Sequence, residues 1–298
     1  MSLSKTGIPY GDLAWNPCGA GCSNVANCPT CWARAFAARG FAKCPDCTAF
    51  RVHFHPERLD GPSRRKKPAT ILVQFTGDLF DRKRHAEQTY AVLNAAYQAP
   101  QHTYVFLTQQ PHEAHRRLCT WLLDGPMPDD AEGLPDNWFI GTTLKHDMQA
   151  RHVAAPFNGI PGRRWLSLEP LYGVPDLTEY LTAGLDGVVI GADNQPNAPF
   201  DLAWVNRVLD QVNAANLHNH NPQRPIARRY VKQVWLWRCP NCGDCIPYRD
   251  LSCGCGTPAS ERLYSLITDA TRYLPDLNWR DLPWTLATAT KTTTGGLL

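Results

Sequence analysis

The sequence predicts an α/β fold in which parallel strands form an incomplete (β/α)6-type barrel. Short apolar runs rich in β-branched and aromatic residues recur at long intervals, and helix-length segments separate them. Continuous apolar character is typical of strands covered on both faces, as in parallel sheets. A polar pair or triplet follows each run, as expected where barrel strands end at a shared pocket.

The predicted elements alternate along most of the chain. One strand precedes Asn16, and six more are predicted at 71–75, 104–107, 138–140, 164–168, 187–190 and 229–234. Helical segments between them include 82–98, 113–123, 146–155 and 202–216, each compatible with a crossover helix. We expect four regions: the barrel over 1–235, a Cys-rich metal-binding insertion over 236–257, a segment packing on the barrel over 258–287, and a disordered tail over 288–298.

Composition limits the class of protein. With 298 residues and 43% hydrophobic content, the chain can bury a full core. No apolar run approaches the roughly 18 to 20 residues that cross a bilayer, so we expect no membrane association. Twelve cysteines without an export signal favour metal ligation in a reducing compartment such as the cytoplasm.

Three cysteines near the start carry the strongest chemical signal. Cys22, Cys28 and Cys31 lie in the segment WNPCGAGCSNVANCPTCW, with the spacing C-x5-C-x2-C. Three such thiolates can hold three corners of a 4Fe–4S cluster and leave the fourth iron open for chemistry. The alternative is a structural zinc site, to which Cys18 and the Cys44–Cys47 pair could contribute.

The cysteine loop resembles that of radical S-adenosylmethionine (SAM) enzymes, although their usual spacing is C-x3-C-x2-C. It is more similar to a phage-associated radical-SAM-like family of largely unassigned function, with the pattern W-N-P-x-x-G-C followed by C-x2-C. Further blocks resemble that family in order, namely HPERL at 55–59, LTQQP at 107–111, WLSLEPLYG at 165–173 and NWRDLP at 278–283. Spore photoproduct lyase is a distant, better understood relative.

This resemblance implies a function and its partners. Reduced cluster would cleave SAM to a 5′-deoxyadenosyl radical, which abstracts hydrogen from a substrate carbon. The substrate would be a nucleotide or a modified thymine-type base in phage DNA, with a lesion-repair lyase as the alternative. A flavodoxin- or ferredoxin-type protein would donate the electron, in the host cytoplasm if the chain is phage-encoded. The competing class is a non-catalytic, zinc-stapled nucleic-acid-binding protein.

Polar residues at the predicted strand ends are the candidate pocket. Those assigned to the cofactor are Thr76, Gly77, Asp78, Thr108, Thr142 and Glu169, and those assigned to the substrate are Asp193, Asn194 and Lys232. Glycine permits close backbone approach to a ligand. The basic runs 64–67 and 82–84 flank one predicted strand and could contact phosphates, or could be solvated turn charges.

Two further groups of cysteines are candidate metal ligands. Near the carboxyl terminus, we expect a zinc site built from Cys239, Cys242, Cys253 and Cys255, with Cys245 spare. Several of these five could instead bind an auxiliary iron–sulfur cluster. Cys18, Cys44 and Cys47 fall one ligand short of a second site, which His53 or His55 could complete; alternatively they are packing thiols.

Overall fold

The chain is described from a computed structural model, which covers residues 2–28, 30–40, 43–128, 133–193 and 198–217 and the backbone of three later strands. The strands are β1 (Leu3–Lys5), β2 (Leu13–Trp15), β3 (Thr70–Val73), β4 (Thr103–Thr108), β5 (Trp138–Thr143), β6 (Arg163–Leu168), β7 (Gly187–Gly191), β8 (Arg228–Arg238), β9 (Cys245–Ile246) and β10 (Leu263–Ile267). The helices are α1 (Trp32–Ala38), α2 (Pro45–Thr48), α3 (Gly61–Arg64), α4 (Ala86–Tyr97), α5 (Pro111–Asp124), α6 (Asp147–Asn158), α7 (Thr178–Thr182) and α8 (Leu202–Leu217).

One compact unit contains the residues up to Thr143 together with Ala155–Trp165. In this unit β2, β3, β4 and β5 lie side by side in sequence order and are parallel, while β1 pairs antiparallel with β2. Parallel strands point the same way, so the segments that follow β2, β3 and β4 leave the same edge of the sheet. This edge carries all three loop cysteines.

The second unit contains Leu144–Ala154 and the residues from Leu166 to Pro283. Its strand order is β6, β7, β8 and β10; β7 and β8 are parallel, whereas β9 and β10 both pair antiparallel with β8. The predicted α/β class with a mostly parallel sheet is therefore confirmed. Apart from the strand positions of β8 to β10, the regions 236–257, 258–287 and 288–298 lie outside the described residues.

Aromatic side chains fill the core of the first unit. Every residue of β3 and β5 is buried, as their continuous apolar sequences predict. Trp121 of α5 stacks on Trp138 of β5 with ring centroids 5.1 Å apart, and Trp138 also lies 5.3 Å from Phe106 of β4. This packing holds α5 on β4 and β5 and so fixes the strand ends that precede the site.

All seven predicted strands and all four predicted helices are present, with bounds that differ for local reasons. The strand predicted to run to Phe75 ends at Val73, because Gln74 has a φ of 59° and leaves the extended conformation. The helix predicted from Arg82 begins at Ala86, because the residues before it form a turn in which the Arg84 N–H donates to the Asp81 carbonyl. Pro111, which suits a first helical position, starts α5 two residues early.

Candidate functional site

Two cysteines and two histidines that follow the cysteine loop in the sequence converge at one point. The ligand atoms of Cys44, Cys47, His53 and His55 all lie within 4.8 Å of one another. Cys47 Sγ is 3.2 Å from His53 Nε2 and 3.5 Å from His55 Nε2, and the two Nε2 atoms are 2.9 Å apart. Two thiols and two imidazoles meeting at one point form a group that could bind a metal such as zinc.

Local sequence explains how this group forms. Cys44 caps α2, a single turn that begins with Pro45, and its Sγ accepts a hydrogen bond from the Cys47 N–H at 3.5 Å. The chain then returns through His53 and His55, each oriented by its second ring nitrogen. His53 Nδ1 contacts the Arg51 carbonyl at 2.7 Å, and His55 Nδ1 contacts the Glu57 carboxylate at 2.8 Å. Such outer contacts are typical of metal-ligating histidines.

The three loop cysteines lie between β2 and α1. Cys22, Cys28 and Cys31 are reduced thiols of intermediate exposure, and Cys31 directly precedes α1. The Gln109 side-chain amide donates to Cys28 Sγ at 3.8 Å and accepts from the Asn24 amide at 3.3 Å. The residue after β4 therefore touches the loop that follows β2.

The loop is tied to β3 through its backbone. Gly21 and Gly77 form a parallel bridge, in which the Gly21 N–H donates to the Thr76 carbonyl at 3.2 Å. A Cβ on Gly77 would lie 2.4 Å from the Gly21 carbonyl oxygen, so this approach requires glycine. The Thr76 hydroxyl donates to the Gly19 carbonyl at 3.0 Å. Thr76 and Gly77 thus hold the cysteine loop in place.

Gln74 is a buried positioning residue that the sequence reasoning missed. Its side-chain amide donates to the Gly19 carbonyl at 2.6 Å and accepts from the Cys18 N–H at 2.9 Å. Gln74 and Cys18 are both fully buried. A non-glycine residue with positive φ is uncommon and marks a backbone held by its surroundings.

Asp78 joins the ends of β3 and β4. Its carboxylate accepts hydrogen bonds from the Thr108 hydroxyl at 2.8 Å and from the N–H groups of Phe80 and Gln109, both at 2.9 Å. Burial raises its pKa to about 6, against the lowering effect of these donors. Thr142 donates to the Thr108 carbonyl at 3.0 Å. The structure thus gives Asp78, Thr108 and Thr142 internal partners, and their assignment to a cofactor stays a prediction.

A buried arginine supports the turn beside the loop. Arg117 Nη2 donates to the carbonyls of Asp81 and Arg84, both at 2.9 Å, and Nη1 donates to the Thr89 hydroxyl at 2.8 Å. The Asp81 carboxylate in turn accepts from the Ser23 N–H at 2.5 Å. Arg117 lies 36 residues beyond Asp81 and 33 beyond Arg84 in the sequence, and no short motif identifies such contacts.

The electrostatics of the loop disfavour thiolates without a cation. Burial raises the pKa of Cys22 to about 12, and the nearby carboxylates of Asp78 and Asp81 raise it further against the Asn24 N–H. Hydrogen bonding with Cys28, followed by burial, raises the pKa of Cys31. Metal ligands must be deprotonated, so a bound cation would have to release these protons.

The two basic runs lie at opposite ends of β3. The run 64–67 precedes the strand, and the Arg65 carbonyl there accepts from the side chain of Gln101, just before β4. The run 82–84 follows the strand, on the side of the cysteine loop. Arg84 is only 3% exposed and donates to the His53 carbonyl at 2.6 Å. The interpretation of Arg84 as a phosphate contact was therefore wrong, because its guanidinium is buried.

Other predicted site residues belong to the second unit or lie outside the described residues. The Glu169 carboxylate lies against Gly191, where a Cβ would approach Oε1 to 2.6 Å. The Tyr172 hydroxyl hydrogen-bonds the Asp193 carboxylate. The side chains that fall outside the described part of the chain are those of Asn194, Lys232, Cys239, Cys242, Cys245, Cys253 and Cys255.

Among the described helices, none combines the length and the apolar character needed to cross a membrane. No match was found among curated proteins or among solved structures. A family model described as "Protein of unknown function (DUF5131)" matches residues 5–225, which is most of the chain. The chain that carries these cysteines therefore belongs to the DUF5131 family.

Proposed function

We propose that this protein is a radical SAM enzyme whose 4Fe–4S cluster is held by Cys22, Cys28 and Cys31. The observation that carries the proposal is the position of these thiols, in one loop, at the edge where three parallel strands end. Chemistry in β/α barrels occurs at this edge. The strand order of each unit supports the finer proposal that the sheet curves into an incomplete barrel.

The donor set fits a cluster with an open iron. Cys18, the remaining thiol of the segment, is fully buried, and burial raises its pKa to about 11. Cys44 and Cys47 contact histidines instead. Three partly exposed thiols thus remain for the loop, which suits a cluster that binds SAM at its fourth iron. When bound, the cluster and SAM together would supply a 5′-deoxyadenosyl radical for hydrogen abstraction.

The chain's own residues would position this group and shield it. Gln74 and Thr76 hold the Gly19 carbonyl, and Gln109 directs an amide N–H at Cys28 Sγ. Hydrogen bonds to cluster sulfurs are one means by which a protein tunes a cluster's potential. The backbones of Gly21 and Gly77 approach so closely that neither residue could carry a side chain, which keeps the cysteine loop against the end of β3.

For the substrate, we propose a nucleobase carried by DNA, or a free nucleotide. A base in duplex DNA would have to leave the stack to reach a pocket at the strand ends. Exposed cations at this edge, Arg82 and Lys83, support phosphate contacts there. The Cys44 and His53 group favours the second candidate, a zinc-stapled nucleic-acid-binding protein without an open iron.

Anaerobic reconstitution distinguishes the two candidates. Wild-type protein should bind about four irons and four sulfides and release 5′-deoxyadenosine from SAM once reduced. Cys28→Ala should lose the cluster and SAM cleavage together, because a ligand is removed. Cys119→Ala, which changes a partly exposed thiol of α5, is the matched control and should retain both.

Retention of a full cluster in Cys28→Ala would exclude the assignment. Wild-type protein that binds zinc but neither iron nor sulfide would favour the binding protein instead.

A further inference from the structure

We infer that Cys44, Cys47, His53 and His55 bind one zinc ion, and that this ion fixes the backbone on which the cysteine loop rests. The inference does not require the cluster or the radical chemistry. It follows from the size of the site, the orientation of its histidines and its contacts with the loop.

The spacing of the ligand atoms matches a single tetrahedral ion. Zinc bonds of about 2.3 Å to sulfur and about 2.05 Å to nitrogen place neighbouring ligand atoms about 3.3 to 3.8 Å apart. The observed sulfur–nitrogen distances are 3.2 and 3.5 Å for Cys47 and 3.7 Å between Cys44 Sγ and His53 Nε2. A multinuclear cluster would hold its ligands further apart, so the site suits one ion.

The histidines are oriented as ligands. Both Nδ1 atoms face acceptors, the Arg51 carbonyl and the Glu57 carboxylate, so each ring is set to carry its proton there. In neutral rings the two Nε2 lone pairs would then face each other at 2.9 Å, beside the Cys47 sulfur. A shared cation resolves this repulsion, and two sulfur and two nitrogen donors select zinc over magnesium or calcium.

The metal group contacts the loop at Gly19. Gly19 has a φ of 61°, and a Cβ there would lie 2.3 Å from His53 Nε2 and 2.8 Å from Cys47 Sγ. Two residues further along the loop, a Cβ on Gly21 would lie 2.0 Å from the Arg51 carbonyl oxygen. The His55 N–H also donates to the Pro17 carbonyl at 2.7 Å. Zinc at this position would therefore hold the segment that leads from β2 to Cys22.

The ligand strand is also tied to β3. Arg84, which is buried, donates from Nη1 to the His53 carbonyl and from Nη2 to the Asp78 carbonyl at 3.4 Å. The ion thus lies within a network that reaches the ends of both β2 and β3. Cys47 also packs with Phe50, Ala20, Ala33 and Ala37 in a small buried cluster, and metal binding would add to the stability of that cluster.

Metal analysis of aerobically purified protein tests the site without the cluster. Cys47→Ala and His55→Ala should each contain one zinc fewer per chain than wild type, while Cys119→Ala should match wild type. The zinc expected from Cys239 and Cys242 is a separate equivalent, so all variants are also prepared with both of those cysteines changed to Ser. In that background the wild-type ligand set should bind one zinc, and Cys47→Ala should bind none.

If Cys47→Ala does not fold, the intact ligand set carries the test. Chelator-treated protein in the Cys239→Ser, Cys242→Ser background, titrated with Co²⁺, should give the absorption of a tetrahedral ion with two sulfur and two nitrogen ligands. Removing the metal should speed amide exchange across 17–22 by about tenfold or more, which corresponds to about 1.4 kcal/mol of local stability.

Equal zinc in Cys47→Ala and in the unaltered ligand set would overturn the inference, as would iron and sulfide in place of zinc. Unchanged exchange across 17–22 after zinc removal would overturn the positioning role. Loss of the iron–sulfur cluster alone bears only on the proposed enzyme, since the zinc measurement is made without it.

Discussion

Replacing Gln74 with Leu should loosen the cysteine loop while leaving the volume of the side chain nearly unchanged. The substitution removes the acceptor of the buried Cys18 N–H and the donor to the Gly19 carbonyl. The orphaned N–H costs about 1 to 3 kcal/mol, and the lost carbonyl bond about 1 kcal/mol. The Thr76 hydroxyl still donates to the Gly19 carbonyl, so we expect a total loss of local stability near 2 to 4 kcal/mol.

Hydrogen exchange measured by mass spectrometry is the direct assay, because it reports on 18–21 without requiring two-state unfolding. A loss of about 2 kcal/mol or more corresponds to exchange about 30-fold faster. Gln101→Leu is the matched control: its side chain donates to the Arg65 carbonyl and lies 3.3 Å from the His102 ring nitrogen Nε2, at the other end of β3. If Gln74→Leu leaves exchange at 18–21 as slow as in wild type, the hydrogen bonds of the Gln74 side chain do not hold the loop.

Two further predictions concern charge. Burial lowers the pKa of His102, so its stability contribution is complete above the ordinary value of 6.5 and is lost as pH falls below it. The urea midpoint of wild type should therefore drop more than that of His102→Gln between pH of about 7.5 and about 5.5, and equal drops would contradict this. If DNA is the substrate, changing Arg82 and Lys83 to Glu should weaken DNA binding and reduce its salt dependence. The same change at Lys66 and Lys67, which lie at the other end of β3, should have little effect on DNA binding. Equal losses of DNA affinity from both pairs would count against phosphate contacts at the edge that carries the loop cysteines. DNA binding by wild type that does not depend on salt concentration would also count against them.

The strands and helices were predictable because their signals are local. The apolar runs of β3 and β5 are buried on both faces, and the pattern of such a run requires no knowledge of its neighbours. The ends were less predictable. Gln74 turns out of β3 because its side chain has partners in another loop, and no residue type enforces that conformation from sequence alone.

Some polar residues of the site were predictable from the sequence, and others were not. The spacing of Cys44 and Cys47 indicated a pair of ligands, but the convergence of both His53 and His55 depends on how the chain returns over α2. Arg84 and Arg117 were not foreseeable as buried groups, since arginine is usually exposed and their acceptors are backbone carbonyls. The carbonyls that a folded turn exposes are not visible in a sequence.

The separation of contacts along the chain sets an order of assembly during synthesis. The contacts of His53 with Cys44 and Cys47 and of His55 with Cys47 span at most nine residues, so this group can close soon after it leaves the ribosome. The contact between Gln109 and Cys28 spans 81 residues, which take roughly 4 to 16 seconds to translate. During that interval the loop thiols have no β4 beside them. An early metal site would then give the nascent chain a fixed backbone against which the later strands arrange the cysteines.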